Sequence, residues 1–217
     1  TDEALLDPRE SNYLLAIVKD VDDSRRKTAL LEDPNDARIG LAWADLSTGR
    51  FLASVCTLGQ LADQIGRIGP AEVVIDEDAQ FIPEYLADQF MLTRRPAWAF
   101  SLDSAETALA RQFQTHHLEG FGFTDDDRPA IRAAGALMDY LHTTQKTSLD
   151  HFENLLPYRV GDRLEIDEAT RRSLEISRTI RDGSREGSLL SVMDKTATAM
   201  GSRLLGDWVG NPLTDCD

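Results

Sequence analysis

The sequence is poor in cysteine, in long apolar runs and in basic charge. Cys56 and Cys216 are its two cysteines, and their wide separation does not give the paired spacing of a structural metal site. We expect both thiols to be reduced, with a disulfide as the alternative. No apolar run approaches the roughly twenty residues that cross a bilayer, and no secretion leader is recognisable. We therefore expect a cytoplasmic protein without a membrane partner.

The charge balance disfavours extensive contact with nucleic acid. The chain has 38 acidic and 23 basic residues and a net charge of −15, whereas a surface that binds a phosphate backbone is rich in Lys and Arg. Its one basic cluster consists of Arg171, Arg172, Arg178 and Arg181. We interpret these arginines as ion-pair partners of neighbouring acids on solvated helix faces, namely Glu168, Glu175 and Asp182. A DNA-facing role for the cluster is the disfavoured alternative.

The sequence also lacks recognisable cofactor sites. His116 and His117 are adjacent, and adjacent side chains do not normally converge on one metal ion. The glycines at 66–69 and 120–122 lack the Lys-Ser/Thr pattern of a phosphate-binding loop. We therefore expect no catalytic residue, metal or cofactor in this chain.

Most of the chain alternates between short apolar runs and amphipathic segments, which is typical of an α/β fold. Predicted strands span residues 12–18, 39–46, 50–55, 71–75 and 91–99. Predicted helices span residues 58–68, 81–90, 104–113 and 129–144. Pro129 suits the first turn of the last helix, whose predicted inward residues are Ile131, Ala134, Leu137, Met138 and Leu141. The strand–helix–strand order around residues 58–68 indicates parallel pairing. Residues 20–38 are polar and contain turn chemistry, so we expect a surface loop there.

The carboxyl-terminal part predicts two helices. The first is capped by Asp167 and runs to about Arg178, and the second runs from Ser188 to Asn211. The second helix would carry one apolar stripe, formed by Leu189, Met193, Ala197, Met200, Leu204 and Trp208. We interpret Trp208 as a core residue. Two helices cannot cover such a stripe by themselves, so we expect the chain to be part of a larger protein, or to self-associate if the stripe is exposed.

Several unusual strings resemble the MutS family of DNA mismatch-repair proteins. DEATRRSLEI and TAMGSRLL resemble the start of the family's helical core, and GLAWADLSTGRF, GPAEVVIDE and LEGFG resemble its connector domain. The resemblance implies an RNase H-like mixed sheet with flanking helices in residues 1–148, the connector. Residues 149–217 would begin the all-α core, with 145–161 as a semi-rigid crossing.

The resemblance also implies a function. The chain would be a non-catalytic part of a parent protein that couples mismatch binding and ATP state to clamp formation and MutL recruitment. ATP and Mg²⁺, the homodimer partner and mismatched duplex DNA would be bound by other domains. MutL would contact the helix at 104–113, where Ala105, Leu109 and Phe113 face inward. Its predicted contact residues are Ser104, Thr107, Ala108 and Arg111, of which Thr107 and Ala108 would be the exposed positions.

Two alternatives remain open. An RNase H-like nuclease would gather carboxylates around two metal ions, with Asp45, Asp76, Glu77 and Asp139 as candidates. We favour turn-stabilising roles for Asp45 and Asp76, because fold similarity alone does not imply catalysis. The second alternative is a MutS paralogue that acts outside mismatch repair.

Overall fold

The computed structural model of the chain describes residues 9, 11–20, 33–82, 89–115, 118–145, 148–159, 161 and 163–214. These residues divide between two compact units. The sheet unit comprises the described residues within Tyr13–Leu61 and Ile68–Arg159, and the helical unit comprises those within Thr1–Asn12, Ala62–Arg67 and Val160–Asp217. The helix predicted at 81–90 and the loop predicted at 20–38 fall largely outside the described residues.

The described strands form one mixed sheet in the sheet unit. Their bounds are β1 Tyr13–Lys19, β2 Arg38–Asp45, β3 Arg50–Thr57, β4 Glu72–Asp76, β5 Met91–Arg95 and β6 Leu156–Pro157. The sheet order is β5-β4-β1-β2-β3-β6. β1, β2 and β3 pair antiparallel, whereas β4 pairs parallel with β1 and β5, and β6 pairs parallel with β3. The mixed α/β sheet predicted from the sequence is therefore confirmed.

The apolar runs of β1 and β2 are continuous because both faces of the central strands are covered. Residues 14–18 and 39–45 are buried without interruption. The turn from β2 to β3 uses Gly49 in the left-handed region, at φ 71°. Asp45 organises this turn, since its carbonyl accepts from the Gly49 N–H at 2.9 Å and its carboxylate accepts from the Ser47 N–H at 2.9 Å. This local chemistry fixes the β2–β3 register.

Three helices follow the predicted amphipathic segments. They are α1 Leu61–Ile68, α2 Leu102–Phe113 and α3 Arg128–Thr144. Helix α2 begins where the Ser101 hydroxyl accepts from the Ser104 N–H at 3.2 Å, and α3 carries Pro in its first turn, as predicted. The five residues of α3 predicted to face inward are all buried: Ile131, Ala134, Leu137, Met138 and Leu141.

The segment predicted as a semi-rigid crossing contributes to the core of the sheet unit. Leu149, Phe152 and Leu155 are buried, and the Phe152 ring lies 6.0 Å from the Phe51 ring, centroid to centroid. The Gln112 amide donates to the carbonyls of Leu149 and Phe152 at 2.9 and 3.2 Å. Chain from 148 to 159 is therefore packed and hydrogen-bonded, and it supplies β6.

The helical unit departs from the prediction in the lengths of its helices. Helix α4 spans Glu168–Ser173, capped by Asp167 as predicted, but it ends well before Arg178. The helix predicted from Ser188 to Asn211 is divided into α5 Leu189–Met193 and α6 Ala199–Gly210. None of the helices within the described ranges is long and apolar enough to cross a membrane.

A polar network causes the break between α5 and α6. The Asp194 carboxylate accepts from the Thr196 backbone N–H at 3.0 Å, from the Ser202 hydroxyl at 2.5 Å and from Arg185 at 2.7 Å. The Ser202 and Thr196 hydrogen bonds hold the pKa of Asp194 far below its ordinary value, with Arg185 contributing charge attraction. Because Asp194 bonds forward to a non-helical turn, a continuous helix is excluded there.

The division of the predicted helix also changes its apolar stripe. Ala197 lies between α5 and α6 and is outside any helix. Leu189, Met193, Met200 and Leu204 are all exposed in the chain, and Trp208 is 59% exposed. The interpretation of Trp208 as a core residue is therefore wrong for the described chain, because no described element covers it.

Candidate interaction surface

Helix α2 presents one face to the core and the opposite face to solvent. Ala105 and Leu109 are fully buried, and Phe113 packs against the core and against Phe121, with ring centroids 5.0 Å apart. The 3.6-residue repeat of an α-helix then places Thr107 and Arg111 outward, and both are exposed. The predicted inward face of this helix is thus present in the structure, with Thr107 and Arg111 on the opposite side.

The four residues predicted to contact MutL have different environments. The Ser104 hydroxyl accepts from the Ser101 hydroxyl at 2.9 Å and so belongs to the helix cap. Ala108 is half-buried, so the expectation that it is an exposed position is wrong. Thr107 is exposed and donates to the Asp103 carbonyl at 2.8 Å. Of these four residues, Thr107 and Arg111 therefore have exposed side chains.

A groove of about 610 Å³ lies between α2 and the start of α3. Its lining from α2 and α3 consists of Leu102, Glu106, Thr107, Ala110, Arg128 and Ile131, and the loop between the helices adds Leu118, Phe123, Thr124 and Asp125. The side chains of Phe123 and Ile131 are nearly buried, each 8% exposed. An apolar floor with a polar rim is the usual composition of a recognition site.

The rim of the groove carries an excess of negative charge. Among the described lining residues, Glu106 and Asp125 are acidic and Arg128 is the single basic one. Arg128 donates to Asp125 at 2.9 Å, and this pair is solvent-exposed, so it contributes little to stability. Glu106 is also exposed and faces the same groove. Its carboxylate is available to a basic group.

An ion pair between a buried carboxylate and a partly exposed arginine lies beside the groove. Asp127 is 4% exposed, and its carboxylate accepts from the Thr124 N–H at 2.8 Å and from both terminal nitrogens of Arg159, at 2.5 and 3.0 Å. Burial alone would raise the pKa of Asp127, but hydrogen bonds from Arg159 and Thr124 outweigh it and lower the pKa. Arg159 also donates to the Gly122 carbonyl at 3.0 Å.

The four carboxylates of the nuclease alternative do not converge. Asp45 pairs with Tyr13 at the beginning of β1, whereas Asp76 follows Ile75, which pairs with Ile17. At about 3.3 Å per residue, five residues separate these positions by about 16 Å along the sheet. Within the described residues, no group of three or more potential ligands could hold a metal ion.

Three of these carboxylates make structural contacts. Asp45 is 1% exposed and accepts from the Ser47 hydroxyl at 2.7 Å. Asp76 accepts from the Asp78 N–H at 2.9 Å, and Asp139 binds Arg95 at 2.7 Å. The turn roles favoured for Asp45 and Asp76 are present in the structure.

Two family models match the chain. The model for MutS domain II matches residues 12–153, and the model for MutS domain III matches residues 169–217. The chain belongs to the MutS family. The first match contains the strands β1 to β5 and helices α1 to α3, including the groove, and the second contains most of the helical unit.

Named relatives agree with this assignment. The chain is 48% identical over 223 residues to the DNA mismatch repair protein MutS of Rhodopirellula baltica, covering all of this chain and 25% of that protein. It is 39% identical over 228 residues to the protein of the same name from Trichodesmium erythraeum, covering 98% of this chain and 23% of that protein. The chain therefore spans about a quarter of the length of these MutS relatives.

The basic cluster of this MutS chain makes contacts that the sequence did not indicate. Arg171 donates to the Gly210 carbonyl at 2.7 Å, and Arg178 donates to the Gly183 carbonyl at 3.0 Å. Two of the predicted acidic partners stabilise turns: Glu175 accepts from the Ile180 N–H at 2.6 Å, and Asp182 accepts from the Ser184 N–H at 3.1 Å. Arg172 and Arg181, the other members of the cluster, are exposed.

Sequence reasoning missed the groove and the Asp127–Arg159 pair. A local signal for Asp127 existed, because Thr124 and Asp127 have the spacing of a capping box, a motif that usually ends in Glu or Gln, and the structure forms one there. Nothing local indicates that Arg159, 32 residues later, reaches the same carboxylate. Long-range partners of this kind are decided by chain topology.

Proposed function

We propose that this chain is the connector, with the beginning of the core, of a MutS mismatch-repair protein, and that it couples mismatch binding and ATP state to clamp formation and MutL recruitment. The family matches over residues 12–153 and 169–217 support the domain identity. The observation that carries the recruitment role is the exposed face of α2, which presents Thr107 and Arg111 while Ala105 and Leu109 anchor the helix.

The chain itself is non-catalytic in this proposal. Its net charge of −15 makes it a poor partner for a phosphate backbone, so mismatched duplex DNA is bound by other domains of the parent. ATP, Mg²⁺ and the second MutS subunit are likewise bound elsewhere in the parent. The contribution of this chain is a rigid sheet unit that carries a docking face.

Rigidity is the property that a coupling element needs. A nucleotide shifts an equilibrium between two arrangements only as far as it binds one of them better. A connecting element that keeps its shape carries such a shift to a second site as a rigid-body movement. The sheet unit meets this requirement. Its sheet, α3 and the segment 148–159 bury a common set of apolar side chains, so the α2 face moves with the unit as a whole.

The test is calorimetric titration of this chain, and of the full parent with ATP, with the ATPase domain of the MutL from the same organism. Thr107→Arg should weaken binding about tenfold, because a long cation replaces a small side chain at the proposed contact. Thr144→Arg is the matched control, since Thr144 is exposed and also donates to the carbonyl four residues earlier, at 2.8 Å.

The outcomes separate two levels of the proposal. Equal affinity of the Thr107→Arg variant and the wild-type parent would remove α2 from the docking face. Absence of MutL binding by both the isolated chain and the ATP-bound parent would refute the recruitment role. Binding by the parent alone would mean that the docking face needs the dimer or the ATP-bound arrangement.

A further inference from the structure

The groove between α2 and α3 has a definite chemical character. Leu102 and Ala110 form one apolar wall, and Phe123 and Ile131 form the floor beneath it. An apolar side chain that enters this groove is removed from water where it contacts these residues, and such burial favours binding. A volume of about 610 Å³ admits such an anchor together with part of a neighbouring side chain.

The rim selects the charge of that neighbour. Two acids, Glu106 and Asp125, line the groove against one base, Arg128, and Asp103 is exposed one turn before Glu106 on α2. Arg128 already pairs with Asp125. A Lys or Arg of the partner would therefore pair with Glu106. An acidic partner segment would instead face repulsion from both acids.

We infer that this groove receives a partner segment in which an apolar side chain enters between α2 and α3 while an adjacent Lys or Arg pairs with Glu106. The inference rests on the proposed function, and the segment belongs to the ATPase domain of MutL. The apolar anchor supplies the affinity, and the basic residue supplies orientation and a faster, salt-sensitive association.

The experiment compares two charge-reversal variants with the same change in net charge. Glu106→Lys places a cation at the groove rim, whereas Glu153→Lys places one at an exposed position that does not line the groove. Binding of the MutL ATPase domain to the parent protein with ATP is measured at low and at moderate ionic strength. Glu106→Lys should weaken binding about tenfold and reduce its salt dependence, and Glu153→Lys should do neither.

A second variant tests the apolar part of the groove independently of charge. Ala110→Phe introduces a ring at the half-buried wall position and fills space that the partner's anchor needs. It should weaken binding about tenfold at every ionic strength. Circular dichroism and thermal unfolding verify that each variant retains the fold.

The results distinguish this inference from the function on which it rests. If the wild-type parent binds MutL and both Glu106→Lys and Ala110→Phe bind as tightly, the groove is not the docking site and the inference is overturned. If Glu106→Lys weakens binding no more than Glu153→Lys, the basic neighbour is refuted. Failure of the wild-type parent to bind MutL in any nucleotide state would overturn the recruitment role and this inference together.

Discussion

Replacing Gly135 with Ala should separate α2 from α3. A Cβ at Gly135 would lie 2.1 Å from the Ala105 Cα and 2.3 Å from its Cβ, whereas carbon atoms in contact are normally about 3.5–4.0 Å apart. The obstacle is the backbone of α2, which cannot rotate away like a flexible side chain. The helix that carries Thr107 and lines the groove would therefore have to move outward.

The size of the effect follows from two opposing contributions. Overpacking a well-packed core costs about 1–3 kcal/mol, and the upper part of this range applies because the clash is with backbone. Ala in place of Gly inside a helix contributes up to about 1 kcal/mol of stability. The expected net loss in the free energy of unfolding is therefore about 2 kcal/mol. This corresponds to a fall of roughly 4–8 °C in melting temperature for a unit of this size.

Urea and thermal unfolding followed by circular dichroism would measure this loss. Gly206→Ala is the control for helix propensity, since its Cβ would meet the Leu190 side chain at an ordinary 3.5 Å, and it should be neutral or stabilising. Ala105→Gly should not rescue the Gly135→Ala variant, because the nearest atom is the Ala105 Cα. A Gly135→Ala variant as stable as the wild type would refute the close-contact argument.

Two further predictions concern buried carboxylates. Asp127→Asn should cost about 2 kcal/mol at neutral pH, discounted for the partial exposure of Arg159. Because the folded-state pKa of Asp127 is lowered, this difference from the wild type should be complete above about pH 4 and shrink as the pH falls through the folded-state pKa; a difference independent of pH would contradict the ion pair. Asp45→Ala should cost about 1–3 kcal/mol by urea unfolding, since it leaves the Ser47 N–H and hydroxyl without their acceptor. Magnesium-dependent hydrolysis of an RNA–DNA hybrid that is abolished by Asp45→Asn would instead support the nuclease alternative.

The sequence predicted elements well where local periodicity and tertiary environment agree. Helix α3 is the clearest example, because Pro129 marks its start and every predicted inward residue of it is buried. The division of the predicted helix at Asp194 is the opposite case. The apolar spacing continues through the break, but Ser202 and Arg185, eight and nine residues away, bind the Asp194 carboxylate and favour a turn.

The candidate surface was only partly predictable for a similar reason. Helical spacing placed Ala105 and Leu109 inward and Thr107 outward, since that pattern is a property of α2 alone. The groove beside Thr107 is formed by three separate parts of the chain, and no short sequence pattern describes their contact. The floor formed by Phe123 and Ile131 depends on the packing of α2 beside α3.

The amino-acid sequence by itself determined the family, the strand and helix types of the sheet unit and the buried face of each of its long helices, because these depend on residue composition and short-range periodicity. Tertiary structure decided which distant groups meet. It placed Asp45 and Asp76 at opposite edges of the sheet, on the two strands that flank β1. It also brought Arg159 to Asp127 and formed a groove with apolar and acidic lining residues between α2 and α3. Strand register and helix crossing set those distances, and both depend on packing across the whole sheet unit.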